Sequence, residues 1–401
     1  MKIAFIKVTK AKGDIKMPLL TFPLNNELNE YQQNWLTDSL SRSFQLDHIN
    51  FENNIVSIKV SDDIKQELLK NTLARLVYVC SYLNASTIFN NQPNRVSPLT
   101  DPIDALQDMG DVKRVGKGLF LFQGVFWKLF RFFNNYWREK ALSIGAIEQE
   151  YPALWPVELY KKIDYFSEFP QQVIMASSVK PNNESLNTVA TKYGKHQDYD
   201  SFDMGEHMAH SHFGLQCAVC DICYYALEGS SDYKNTTYTT YNKVFRNESS
   251  DTNSLDRLTN FSVRDIMFVG DELFVLEQRQ KMIELAKEFL TWLNLDCSIT
   301  TASDPFFSND TVMKSVFQNA SQLKYELLVK LPFNQKEMAI GSINLHQDFF
   351  GRAFDIKLSD STPVWSGCFG IGFERLVYAL YAQFGTDYQR WPDNLKKIVE
   401  D

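Results

Sequence analysis

Two neighbouring segments, 236–246 and 259–270, have the residue pattern of the two strands of a hairpin. Both carry charged residues that are capable of chemistry. Because side chains alternate between the faces of a strand, Arg246 and Glu248 share one face of the outgoing segment. On the return segment, Asp265 shares a face with Phe261 and otherwise apolar residues. A carboxylate among apolar side chains is costly unless it is paired, hydrogen-bonded or bound to a metal. We therefore expect Asp265 either to form an ion pair with an arginine or lysine or to bind a metal.

A second polar row follows the segment 338–347, where Ser342, Asn344 and His346 alternate with apolar residues. Lys324 and Glu326 share a face of the preceding predicted strand in the same way. In such a hydrophobic sheet, a polar row faces either water or a ligand site. Both interpretations stay open on this pattern alone.

The glycine-rich segment Gly367–Arg375 ends a predicted strand and begins a helix. Its glycines would let backbone or ligand approach closely. The segment lacks the flanking context of a dinucleotide-binding fingerprint and the Lys-Ser/Thr of a phosphate-binding loop. The turn by itself therefore does not identify a nucleotide site.

Cysteines and histidines form two further clusters with metal-ligand chemistry. The run Cys217, Cys220 and Cys223 has iron–sulfur spacing, but the usual fourth cysteine and following proline are absent. The alternative is a helix that places thiols in the core, which is common for cysteine. Residues 178–214 predict an extended polar loop, and such a loop more often carries its histidines without a metal. These are His196, His207, His210 and His212.

The elements that must position these residues predict an α+β fold. Consecutive strands with few helices between them indicate a mixed, mainly antiparallel sheet flanked by helices. The predicted strands are Thr236–Arg246, Thr259–Gly270, Cys297–Ala302, Leu323–Leu331, Met338–Gln347 and Trp365–Gly370. The predicted helices are Asp63–Tyr82, Leu119–Ala146, Glu277–Leu293 and Phe373–Phe384.

The N-terminal part predicts a small α/β domain that opens with a strand at Ile3–Val8. Residues Asn90–Asp111 hold three prolines and few apolar residues, which favours a linker. We therefore predict an accessory domain of unknown role over residues 1–110 and a catalytic domain over 111–401.

Composition favours a globular cytoplasmic protein. The 401 residues are 44% hydrophobic and 22% charged, with a formal net charge of −8. A run of about 18 apolar residues, which a membrane helix requires, does not occur, and Met1–Val8 is too short and too charged for a secretory signal. The six cysteines are then expected to be thiols or metal ligands and not disulfides.

Together these segments resemble the class II aminoacyl-tRNA synthetases. Phe245–Glu248, Arg257, Phe261 and Asp265 resemble motif 2, and Gly370–Arg375 resembles motif 3. The region around Pro152 and Pro156 is similar to motif 1. A closer resemblance, over residues 112–401, is to the amino acid:[carrier protein] ligases, which are homologues of the atypical archaeal seryl-tRNA synthetases. It rests on Asp304–Phe307, Leu323–Leu328, Ser342–Gly351, Phe384-Gly385 and Trp391-Pro392.

The resemblance implies ATP-dependent formation of an aminoacyl-adenylate, with ATP as a substrate and Mg²⁺ sharing the phosphate charge. Arg246 would hold the α-phosphate and the amino-acid carboxylate, and Arg257 and Arg375 the outer phosphates. Glu248 would contact the adenine amino group, and Phe261 would stack on the ring with Arg375 on its other side. The remaining candidates, for the amino-acid pocket or Mg²⁺, are Glu326, Ser342 and Asn344.

The resemblance also implies an active-site zinc on Cys220, Asp265 and Cys368, with a fourth position open for the substrate amino group. The family usually has Glu where this chain has Asp265, which is one methylene shorter.

The partner that the resemblance implies is a carrier protein with a phosphopantetheine arm, and motif 1 implies a homodimer. One alternative is a tRNA synthetase of seryl type. The net charge of −8 and the lack of a recognisable tRNA-binding arm in residues 1–110 count against it. The other alternative is a non-catalytic paralogue, against which the intact Arg246, Glu248 and Arg375 count.

Overall fold

The computed structural model describes residues 19–24, 26–44, 46–60, 66–192, 204–248, 254–304, 306–307 and 313–400. The predicted strand Ile3–Val8 and His196 lie outside these ranges. Within them, no helix is long and apolar enough to cross a membrane.

The N-terminal unit is a three-stranded antiparallel sheet covered by two helices. Its strands, in the spatial order β1-β3-β2, are β1 (Leu19–Pro23), β2 (Leu46–Glu52) and β3 (Ile55–Val60). Its helices are α1 (Glu30–Ser43) and α2 (Gln66–Cys80). The side chain of Asn29 accepts a hydrogen bond from the Gln32 backbone in a reciprocal capping box, which satisfies the first free amides of α1. This unit has its own hydrophobic core, which includes Trp35, Leu36 and Leu73.

The catalytic unit is built on eight strands in the order β4-β13-β14-β15-β16-β12-β11-β7. Every pairing is antiparallel except that of β11 with β7. These strands are β4 (Thr87–Asn91), β7 (Ile147–Glu148), β11 (Thr236–Phe245), β12 (Asn260–Gly270), β13 (Cys297–Thr301), β14 (Lys324–Leu331), β15 (Lys336–Gln347) and β16 (Trp365–Gly372). The predicted fold class, a mainly antiparallel sheet flanked by helices with a small N-terminal α/β domain, is confirmed.

Smaller strands and helices surround this sheet. A hairpin of β5 (Val112–Gly116) and β6 (Leu119–Phe122) precedes the first long helix, and β8 (Leu154–Pro156), β9 (Ile174–Ala176) and β10 (Phe213–Leu215) form a separate sheet. The helices are α3 (Ile103–Asp108), α4 (Gly124–Ser143), α5 (Val157–Lys162), α6 (Tyr165–Glu168), α7 (Asn183–Lys192), α8 (Asp221–Ala226), α9 (Glu272–Leu293), α10 (Met313–Ala320), α11 (Phe349–Ala353), α12 (Phe373–Phe384) and α13 (Asp393–Glu400).

Long helices cover one face of the large sheet and leave the other for the site. Phe126, Phe130, Phe133 and Trp137 recur at helical spacing on α4 and are buried with residues of α9, α12 and α13. On the opposite face, α8 and α11 pack over a second apolar cluster that includes Met267 and Cys368. The polar rows of the sequence lie on this second face.

Residues before the predicted division at residue 110 pack against the large sheet, and the division itself stays a prediction. Strand β4 pairs with β13 at the edge of the large sheet, and Ile103 and Leu106 are buried in its main core. The predicted linker Asn90–Asp111 therefore belongs to the catalytic unit. Its prolines mark turns between short elements that the sparse apolar pattern did not reveal.

Two further element predictions need correction. The helix predicted over Leu119–Ala146 starts as strand β6, and Gly124, with φ 58°, lets the chain turn into α4. The loop predicted over Ser178–Gly214 contains α7, whose polar sequence gave no clear apolar stripe.

Candidate active site

Strand register brings the predicted pocket residues into one row across the sheet. Asp265 on β12 lies opposite Gly370 on β16, Gly370 opposite Ser342 on β15, and Ser342 opposite Glu326 on β14. Gly370 has no side chain, and a Cβ placed there would lie 3.5 Å from Oδ1 of Asp265. The glycine thus keeps the centre of the row open between Asp265 and Ser342.

A second row lies one pleat further along the same face. Cys368 on β16 stands between Met267 on β12 and Asn344 on β15, and Asn344 lies opposite Lys324 on β14. Nδ2 of Asn344 is 3.1 Å from Oγ of Ser342 and 3.4 Å from Sγ of Cys368. Asn344 therefore connects the pocket row to the thiol.

Asp265 has no arginine or lysine partner among the residues that the structure describes, which removes the ion-pair interpretation for that part of the chain. Its side chain is 4% exposed, and Oδ1 has no hydrogen-bond partner. Burial and the nearby Asp221 raise the pKa of Asp265 to about 7, and the neighbouring thiols of Cys368 and Cys220 oppose part of the rise. The structure thus leaves Asp265 as a buried carboxyl group near two thiols, and its role as a metal ligand stays a prediction.

Cys220, His346 and Cys368 form a cluster of metal-ligand atoms. Cys220 immediately precedes α8, and its Sγ, an imidazole nitrogen of His346 and Sγ of Cys368 all lie within 4.8 Å of one another. Nε2 of His346 is 3.8 Å from Sγ of Cys368, and Nδ1 is 3.3 Å from Oγ of Ser366. Two thiols and an imidazole are donors that fit zinc. The predicted ligand Asp265 is not a member of this group, in which His346 stands instead.

His346 is a site residue that the sequence analysis did not assign to the metal. The alternation Ser342, Asn344, His346 placed it on the correct face, but only the fold shows that this end of the row meets Cys368. Its hydrogen bond with Ser366 resembles the outer contact that orients a ligating histidine.

The other thiols and histidines lie apart from this cluster. Sγ of Cys217 contacts the backbone oxygens of Leu215 and Gln172, at 3.6 and 3.8 Å, and burial raises its pKa to about 11. Burial also raises the pKa of Cys223, to about 12. Both therefore behave as core thiols, which does not favour an iron–sulfur site. His210 and His212 are exposed in the polar segment.

The predicted nucleotide residues gather at the other end of β12. The guanidinium of Arg246 lies 5.4 Å from the ring centroid of Phe261, and its Nε donates to the backbone oxygen of Cys217 at 3.1 Å. Arg257 approaches Glu248 at 3.5 Å. Burial lowers the pKa of Arg375, and the nearby negative charge of Glu248 offsets only part of that shift. Arginines, a carboxylate and an aromatic ring are thus brought together, as a site for a nucleotide requires.

Lys324 adds a buried cation at the pocket end. Its Nζ lies 2.7 Å from Asp304 and 3.0 Å from Glu326. Burial lowers the pKa of Lys324, but the two carboxylates outweigh it, and the net pKa is raised. The sequence analysis noted Lys324 beside Glu326 without a role; the structure shows that it fixes the position of Glu326.

A separate groove of about 510 Å³ lies on the helix-covered side of the sheet, away from these residues. It is lined by residues of α4, α9 and α13: Lys128, Arg131, Phe132, Asn135, Trp292, Asn394, Lys397 and Ile398.

Comparison with known proteins agrees with this architecture. Residues 231–384 match the family described as the tRNA synthetase class II core domain (G, H, P, S and T). The chain is 25% identical over 318 residues to an amino acid–[acyl-carrier-protein] ligase of Bradyrhizobium diazoefficiens, covering 78% of this chain and 94% of that protein. It is 24% identical over 404 residues to a type-2 serine–tRNA ligase of Methanococcus maripaludis, covering 98% of this chain and 76% of that protein.

Among solved structures, SerRS of M. kandleri in complex with A. aeolicus tRNASec superimposes with a TM-score of 0.70 at 18% identity. The superposition covers 96% of this chain and 77% of the SerRS chain. At 18% identity, the likeness shows a shared fold alone. The serine–tRNA ligase alignment spans 98% of this chain, so it extends well into residues 1–110, for which the sequence analysis had found no counterpart.

Proposed function

Because this chain contains a class II tRNA synthetase core domain and its relatives are ligases, we propose that it activates an amino acid with ATP and transfers it to the phosphopantetheine thiol of a carrier protein. The observation that carries the proposal is that one face of the sheet holds both groups of polar residues. These are the arginines beside Phe261 and the polar pocket around Ser342. By strand rise, Phe261 and Asp265 are about 13 Å apart along β12, which is room for an adenylate.

In the first step the carboxylate oxygen of the amino acid attacks the α-phosphorus of ATP, and pyrophosphate leaves. Arg246 stabilises the charge that builds on the phosphorus oxygens, and Arg257 and Arg375, with Mg²⁺, neutralise the leaving pyrophosphate. Glu248 and Phe261 hold the adenine. The substrate supplies its own nucleophile, so the protein positions and neutralises.

The pocket row would hold the amino acid itself. Glu326, fixed by Lys324, and the amide and hydroxyl of Asn344 and Ser342 offer hydrogen-bond partners next to the thiols. We propose zinc on Cys220, Asp265 and Cys368, where it would bind the substrate amino group and so favour α-amino acids. His346 Nε2 offers a further nitrogen donor at this position.

In the second step the acceptor thiol attacks the acyl carbon and AMP leaves, which gives a thioester. The net charge of −8 and the coverage of 94% of the carrier-protein ligase favour this acceptor. We also propose a homodimer, because the region around Pro152 and Pro156 resembles motif 1, which implies dimerisation.

Transfer to tRNA is the second candidate, and one observation favours it. The relative named as a serine–tRNA ligase matches almost the whole chain, whereas the carrier-protein ligase matches 78% of it. In that case the acceptor is the hydroxyl of a tRNA 3′ end, and the product is an oxygen ester.

The acceptor is tested by offering labelled amino acid, ATP, holo-carrier proteins and total tRNA from the same organism. We expect label on the carrier and none when the apo-carrier lacks its thiol arm. Label that resists hydroxylamine is inconsistent with a thioester. Label on tRNA alone would replace the carrier-protein proposal with the second candidate. In that case binding should weaken steeply with salt, by about 10³–10⁵ between 50 and 200 mM for 6–10 phosphate contacts.

A further inference from the structure

One face of α1, in the N-terminal unit, lies against the catalytic unit at the proposed substrate groove. Tyr31, Trp35 and Asp38 follow one another at intervals of four and three residues, so they stand on the same face of the helix. Two of them contact the catalytic unit directly, at opposite ends of the groove.

At the nucleotide end, a carboxylate oxygen of Asp38 lies 2.5 Å from Nη2 of Arg257. Arg257 is about one-quarter exposed and Asp38 half exposed, so the pair is open to exchange with solvent or ligand. Asp38 is the leading cause that raises the pKa of Arg257. The carboxylate thus occupies an arginine to which the proposed function assigns the outer phosphates of ATP.

At the amino-acid end, the hydroxyl of Tyr31 is 3.2 Å from Nδ2 of Asn319 on α10. Burial and the nearby charge of Glu326 raise the pKa of Tyr31 to about 12, so the phenol stays neutral. Between the two contacts, Trp35 is 8% exposed and packs in the hydrophobic core of the N-terminal unit, which holds α1 to that unit.

The N-terminal unit is fixed in this position by the backbone that follows it. The amide of Asn84 donates to Oδ1 of Asn319 at 3.1 Å, and the amide of Ser86 donates to Oγ1 of Thr301 at 2.8 Å. Strand β4 then joins the edge of the large sheet. These contacts hold the start of the catalytic unit beside α1, so the pair of Asp38 and Arg257 joins two anchored units.

We propose that α1 forms a wall of the substrate groove and that ATP entry displaces Asp38 from Arg257, so that nucleotide binding is coupled to the position of the N-terminal unit. The proposal rests on the proposed function, because it needs the outer phosphates at Arg257. The phosphate oxygens take over the guanidinium contact that the carboxylate makes in the free protein.

Asp38→Asn tests the displacement, with Glu52→Gln on the exposed end of β2 as a matched control in the same unit. Affinity for a non-hydrolysable ATP analogue is measured by calorimetry. Removal of a partly exposed competing pair should tighten binding about twofold to fivefold, and the gain should shrink at high salt. In an Arg257→Ala background, Asp38→Asn should have no effect on binding.

A second measurement reports on the helix itself. Amide exchange in residues 30–43 of the wild-type protein should increase when the analogue binds, as α1 loosens from Arg257. Weaker binding by Asp38→Asn would mean that Asp38 positions Arg257, and it would overturn the displacement. Equal binding by wild type, Asp38→Asn and Glu52→Gln would also overturn it while leaving the proposed function intact. An absence of analogue binding in every protein would overturn both.

Discussion

At the scale of residues, Asp265 poses the most informative problem. Alternation on β12 was enough to predict a carboxylate on an apolar face. The pattern could not predict that α8 would bring Cys220 over this face or that β16 would place Cys368 beside it. Those contacts depend on pairings between distant segments, which only the fold reveals. The resemblance to a known family supplied these three positions; the structure groups the thiols of Cys220 and Cys368 with His346, and Asp265 is not a member of that group.

The position of His346 beside a thiol could not be predicted from the residue pattern. Its alternation with Ser342 and Asn344 left two interpretations open, and the structure places its imidazole 3.8 Å from the Cys368 thiol. Burial lowers the pKa of His346 to about 4, so its imidazole is neutral at neutral pH, which is the form of histidine that binds metals.

Zinc binding is the prediction at this scale. We expect near-stoichiometric zinc in the wild-type protein and its loss in Cys220→Ser and Cys368→Ser, because thiolates are the strongest donors present. Cys217→Ser, a buried thiol outside the cluster, should retain the metal. The measurement is metal analysis, supported by the sulfur-to-metal charge-transfer bands of the cobalt-substituted protein.

The variants His346→Gln and Asp265→Asn show whether the imidazole or the carboxylate is a zinc ligand. Loss of an outer partner should cost about 10–100-fold in metal affinity, and loss of a ligand more. Zinc-free wild-type protein with full activity would contradict the metal site. Zinc that instead follows the exposed histidines, His210 and His212, would contradict its position.

At the scale of elements, the strands were the most predictable part of the molecule. The bounds of β11, β12, β14 and β15 agree with the sequence patterns to within two residues. Apolar alternation fixed them because each strand is buried on at least one face. The order of the strands could not be predicted in this way, because pairings such as β16 between β12 and β15 join segments far apart in sequence.

The glycines of β16 differ in how much space surrounds them. Substitution of Gly367 by alanine tests whether this position requires glycine. A Cβ at Gly367 would lie 2.3 Å from Cε2 of Phe268 and 2.7 Å from the backbone oxygen of Asn344. Gly367→Ala should therefore strain the pairing with β15 and lower the free energy of unfolding by about 1–3 kcal/mol.

Gly372→Ala is the matched control on the same strand. Its φ is −96°, and the nearest atom to a new Cβ is 3.7 Å away, so we expect a change within about 0.5 kcal/mol. Urea denaturation of the variants beside the wild type makes the comparison. Equal stability of the two variants would show that the sheet at Gly367 adapts without strain.

At the scale of the whole molecule, the two units contact each other at Arg257 and at α10. The sequence separated them at residue 110 because the prolines of residues 90–111 favour a linker. Strand β4 crosses that boundary by adding to the edge of the large sheet, a long-range pairing that local patterns do not predict. The same connection places α1 beside Arg257 and α10, and these contacts are the basis of the proposed coupling between nucleotide binding and the N-terminal unit.

Amino-acid-dependent exchange of pyrophosphate into ATP tests the central claim most directly, because it requires adenylate formation and no acceptor. With the twenty amino acids offered one by one, we expect exchange with one or a few. Arg246→Ala should reduce the rate by about 10²–10³, since it removes a contact that strengthens as charge builds on the phosphorus. Arg390→Ala, which removes an exposed surface cation, should retain the wild-type rate.

Two results would contradict the account. Exchange by Arg246→Ala at the wild-type rate would remove the arginine from the chemistry. A wild-type protein that binds nucleotide and zinc but exchanges pyrophosphate with none of the twenty amino acids would show that this fold is used for binding and not for amino-acid activation.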